Sequence, residues 1–188
     1  MPDGTRSFSP AVFPAALPVR PAAPDKRRLA RLRHCDALEL AADDSAPGIG
    51  RRRIAARLTE WSLPEFTDAA WAVSSELLAN SVAATQVVQW TGPVPPVRLW
   101  LRGGRAGGRA EDLAGGRSGW PGGRPAAPAT VAILAWDACV RAPVPHRAGA
   151  DEEGGRGLAL VAALSAEWGY YYPPETPGKV TWAIIETP

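Results

Sequence analysis

Two separated fragments carry residue types that together could bind and work on a nucleotide. Ser75-Glu76-Leu77-Leu78-Ala79-Asn80 sets a carboxylate and an amide four residues apart, a spacing that puts both on one face of a helix. Far downstream, Asp137 closes an apolar run, and Gly154-Gly155-Arg156-Gly157-Leu158 opens the next apolar segment. Glycines at a helix start leave backbone N–H groups uncovered, and the helix dipole there favours an anion such as phosphate. A carboxylate able to read a base, an oxygen ligand for magnesium and bare N–H groups for phosphate are the parts of a nucleotide site. Each fragment taken alone also has a plainer reading. Glu76 and Asn80 would suit an exposed helix face, Asp137 a strand-ending turn, and the glycines a hinge.

The elements that must hold these residues follow from periodicity and breakers. Residues 37–42 read as a short edge strand, and Asp43-Asp44-Ser45-Ala46-Pro47 as a helix start with a capping residue and an early proline. Helical spacing runs over 49–61, Ser62-Leu63-Pro64 interrupts it, and a longer helix covers 64–87 with Phe66, Ala70, Val73, Leu77 and Ala84 as its buried stripe. Residues 97–101 alternate as a half-exposed strand does. Residues 102–128 are Gly, Arg, Ala and Pro with almost no apolar content, and read as a flexible insertion in a hairpin. Residues 130–136 form a near-continuous apolar strand ending at Asp137. A loop over 138–155, able to act as a lid, leads to a helix over 157–165 and two strands over 167–172 and 179–185. This order predicts an α+β fold: a two-layer sandwich of a mixed, mainly antiparallel sheet with three helices on one face.

Composition narrows the class of protein. The chain of 188 residues, with a formal charge of +2, fits one domain and is too weakly charged to argue for nucleic acid. Nearly all its basic residues are arginine, Lys26 and Lys179 being the only lysines. Residues 1–35 read as a disordered arm ahead of a domain over 36–188. Five prolines from Pro10 to Pro24 break any secretory core, and no apolar run reaches membrane-spanning length. The basic stretch Lys26 to Arg33 has no aromatic among its arginines, so a solvated tail is the better reading than a nucleic-acid contact. Cys35 and Cys139, with His34 and His146, lack metal-ligand spacing. There is no nucleophile elbow. A cytoplasmic protein without membrane or direct nucleic-acid contact is expected.

In order and spacing, Glu76-Leu77-Leu78-Ala79-Asn80-Ser81, Asp137 and Gly155-Arg156-Gly157-Leu158 resemble the N, G1 and G2 boxes of the GHKL family, whose ATP-binding domain is called the Bergerat fold. With Ala166-Glu167-Trp168-Gly169 and Gly178-Lys179-Val180-Thr181-Trp182, the chain is most similar to the anti-sigma-factor serine kinase-like branch of bacterial regulators. The resemblance covers 36–188 apart from the insertion. It implies that ATP and magnesium are bound, with Asn80 on the metal, Asp137 on the adenine amine, and Gly155, Arg156 and Gly157 at the phosphates. Glu76 would be the base that activates a hydroxyl. It also implies protein partners, a sigma factor and a serine-bearing antagonist, and admits a homodimer. Two departures support an alternative, a non-catalytic adaptor on a degenerate nucleotide fold. Ala138-Cys139-Val140-Arg141 replaces the glycines usual after the aspartate, and Asp151-Glu152-Glu153 precedes the second glycine box. Cys139 is read as packing rather than as a reactive thiol.

Overall fold

In the computed structural model, residues 20–105, 128–143 and 157–187 are described. They form β1 (Arg20–Pro21), α1 (Lys26–Ala30), β2 (His34–Leu40), α2 (Ala46–Glu60), a 3-10 turn (Pro64–Phe66), α3 (Thr67–Gln86), β3 (Val97–Arg105), β4 (Ala129–Asp137), α4 (Gly157–Leu164), β5 (Glu167–Tyr171) and β6 (Lys179–Glu186). The strands make one sheet of order β1-β5-β6-β4-β3-β2. Four of its pairings are antiparallel, and only the two-residue β1 runs parallel to its neighbour β5. The protein is therefore α+β with a mixed, mainly antiparallel sheet, and β2 is an edge strand.

The two faces of the sheet have separate cores. On one, Val131, Ile133 and Ala135 of β4 pack with Ile54 and Leu58 of α2, Val73 and Leu77 of α3, and Leu158 and Val161 of α4. On the other, Ala132, Leu134 and Trp136 alternate with them and meet Val180, Trp182 and Ile184 of β6. A central strand covered on both sides must be apolar at every position, which is why 130–136 shows no alternation. Each fully buried aliphatic side chain contributes about 1.5–3 kcal/mol.

Local chemistry sets the helix boundaries. Asp43 Oδ1 accepts from Ser45 N at 2.8 Å and from Ser45 Oγ at 2.5 Å, turning the chain into α2. Ser45 therefore spends its hydroxyl on the turn and makes no side-chain cap to the helix. Ser62, with φ of 56°, ends the connection from α2 in the left-handed region before the 3-10 turn. Arg53 grips Asp36 of β2 with two hydrogen bonds, of 2.6 and 2.9 Å, and Arg57 adds a contact at 3.3 Å, which fixes α2 over the sheet edge.

Three boundaries differ from the sequence reading. Residues 20–35, within the expected arm, include β1, α1 and the start of β2. Leu29 and Leu32 cover the sheet face opposite the other helices. Trp182 Nε1 donates to Ala22 O at 2.7 Å, Arg102 Nη1 to Leu29 O at 2.9 Å, and Arg28 pairs with Glu167 and Glu186. Secondly, His34 and Cys35 belong to β2, with the His34 ring stacked on Trp61 at 5.1 Å. Thirdly, β3 runs through Gly103 and Gly104 to Arg105, so the insertion cannot start at 102. A Cβ on Gly104 would lie 3.2 Å from Arg33 N, so the bare glycine serves as a seat for the incoming chain. Apolar counting misses both effects, because neither glycine nor arginine scores as core. The rest of the insertion and residues 1–19 lie outside the described residues.

Candidate functional site

The helix α3 carries two groups to two different places. Its inward face holds Ser74, Leu77, Leu78, Ser81 and Thr85, all buried. Ser81 reaches the carboxyl of Asp137, the last residue of β4. Five residues earlier, Glu76 meets the first residue of α4: a Cβ built on Gly157 would stand 2.1 Å from Glu76 Oε2. One helix thus links the strand end bearing the aspartate to the helix start bearing the glycine.

Asp137 is 1% exposed, and so is no simple turn aspartate. Its Oδ1 accepts from Lys179 Nζ at 2.6 Å and from Cys139 N at 3.0 Å. Lys179 stands opposite it in the β4–β6 register and is itself 4% exposed. Its Nζ also lies 3.4 Å from Cys139 O. Burial pushes the Asp137 carboxyl above its ordinary pKa, against the pull of Lys179, of the Cys139 N–H and of Ser81. Gly178 has φ of 111°, and a Cβ there would fall 2.2 Å from Asp137 O and 2.9 Å from Ala138 Cα. Only glycine lets the β5–β6 turn press so closely on the end of β4.

The residues predicted from sequence divide into two groups. Glu76, Asp137 and Gly157 are brought to α3 and its two ends of contact. Asn80 is exposed on α3, one turn beyond Glu76. Gly155 and Arg156, together with the acidic run 151–153 and most of the expected lid, lie outside the described residues. Cys139 is 3% exposed and packed. Sequence reasoning missed Ser81 and Lys179 as members of the site. A signal existed for the second: Lys179 is one of two lysines among 21 basic residues, and it opens a strand that is mainly apolar.

An open groove of about 760 Å³ lies near the ends of β2 and α3, lined by Glu39, Asp43, Gln86, Trp90 and Val94 among others. It contains none of the residues above, so the buried pair and the glycine-started helix mark the site better than the groove does. What the arrangement defines is an α+β protein with a buried carboxylate–ammonium pair at one strand end, beside α3. No protein-family model matches the chain, and no curated protein matches it. Among the described residues, no helix is long and apolar enough to cross a membrane.

Proposed function

We propose that this chain is an ATP- and magnesium-binding regulatory protein similar to the anti-sigma-factor serine kinases of the GHKL family. The observation that carries the reading is the position of α3, which touches both the Asp137 strand end and the Gly157 helix start. A strand-end carboxylate, a helix that starts on glycine and an exposed amide on α3 suit an adenine base, phosphate and magnesium respectively. Bound magnesium would supply charge neutralisation at the phosphates. Asp137 would accept from the adenine amine, Asn80 would hold the metal, Gly155, Arg156 and Gly157 would meet phosphate, and Glu76 would take a proton from the attacking hydroxyl. A sigma factor and a serine-bearing antagonist are the proposed partners, in a cytoplasmic setting, with a homodimer admitted.

Calorimetric titration of ATP with and without magnesium tests this directly. Saturable, magnesium-dependent heat is expected, and N80A should abolish it. Magnesium-dependent binding retained in N80A would remove the metal assignment.

One observation favours the alternative of a non-catalytic adaptor. The carboxylate that would read adenine is already paired with Lys179 and sealed from solvent. Incubation with labelled ATP and a serine-bearing antagonist separates the two, because transferred label excludes an adaptor and absent transfer with retained partner binding supports it.

A further inference from the structure

The pairing of Asp137 with Lys179 need not oppose base recognition, and its geometry suggests a role within it. Both donors from the strand ends, Lys179 Nζ and Cys139 N, fall on the same oxygen, Oδ1. Neither falls on Oδ2, the oxygen that in the nucleotide reading would accept from the amine of a base. The latch is built in rigidly. Lys179 stands opposite Asp137 in the sheet, and Gly178 is locked against Asp137 O by a backbone conformation that a side chain would oppose. The choice of residue fits the task as well. The chain uses lysine only twice, and a compact ammonium places its charge on one oxygen, whereas the planar fork of arginine would tend to engage both.

We propose that Lys179 is a positioning residue for base specificity, holding Asp137 by Oδ1 so that Oδ2 stays an acceptor for the 6-amino group of adenine. A 6-oxo purine offers no donor at that place and sets its own acceptor against Oδ2, the situation in which a polar site discriminates most strongly. The inference rests on the nucleotide reading and adds to it a residue that makes no contact with ligand itself.

The test compares ATP with inosine triphosphate, which differs from it at the 6-position, by calorimetry on the full chain with magnesium. Wild type is expected to prefer ATP. K179M, shown to be folded by a cooperative melt, is expected to lose at least about tenfold of that preference, mostly through weaker ATP binding. K179R, whose fork engages both oxygens, should not recover it despite keeping the charge. A folded K179M with an unchanged ratio overturns the role of Lys179 while leaving ATP binding standing. Equal binding of both nucleotides by wild type also overturns it. Wild type that binds neither nucleotide overturns the nucleotide reading together with this one. Should K179M fail to melt cooperatively, K179Q takes its place, a polar but shorter and neutral side chain that leaves Oδ1 without its charged donor. The same loss is expected of it, and an unchanged ratio is equally decisive against the proposal.

Discussion

At the scale of single residues, the buried Asp137–Lys179 pair makes the sharpest stability prediction. Removing one charge leaves the other buried alone, which typically costs about 3–5 kcal/mol, whereas removing both together is far milder. D137N should therefore be strongly destabilised in urea, and D137N/K179M should regain much of the loss. A double variant as unstable as the sum of the single ones would refute that coupling. The pH dependence has a definite sign. The folded Asp137 carboxyl has a raised pKa, so it keeps its proton where the unfolded chain has lost it. Its contribution to stability thus falls as pH rises from the ordinary carboxyl value through the folded one, and K179M should steepen that fall. Gly157 supports a separate expectation. The methyl of G157A would strike the mobile end of Glu76, 2.1 Å away, and not a backbone atom. Stability should change by less than about 1 kcal/mol, while any phosphoryl transfer should fall by about 100-fold through displacement of the base. Radiolabel transfer and a melt on the same preparation read both halves.

At the scale of elements, α2 and β2 depend on each other through Asp36. Hydrogen bonding from Arg53 holds the Asp36 carboxyl below its ordinary pKa, and Arg57 adds to the effect. That stabilisation is present above the unfolded value and disappears as pH falls through the folded one, the opposite sense to Asp137. D36N should cost about 1 kcal/mol at neutral pH, as partly exposed ion pairs do, and should lose less stability than wild type on acidification below pH 4. Equal acid sensitivity of the two proteins would show that other carboxylates dominate. The short α1 shows a similar economy of means. It is five residues long, too short to persist alone, and holds because Leu29 and the neighbouring Leu32 close the tryptophan-bearing face of the sheet. The sequence made this segment look like a tail because proline and arginine dominate it. Its partners, Glu167, Glu186 and Trp182, lie more than a hundred residues away.

At the scale of the whole molecule, ligand binding should register as global stability. Nucleotide at about 100 times its dissociation constant adds about 2.7 kcal/mol to a site formed only in the folded state, a rise of several degrees in Tm. Magnesium-ATP should produce that shift in wild type and none in N80A, whereas an adaptor on a degenerate fold would show no shift in either protein. The sequence by itself determined the α+β class, the edge position of the first long strand, the continuous apolar character of β4 and the helix bearing Glu76 and Asn80. Those are local properties: period-two or helical spacing, breakers, and runs of one residue class. Only the tertiary structure decided that Asp137 is sealed and paired with Lys179, that Ser81 attends it from α3, and that Gly157 makes room for Glu76. It also decided that residues 20–33 close the second face of the sheet. Each of these is a contact between segments distant in sequence, set by strand register and helix docking, and no local pattern in a single chain encodes where such partners meet.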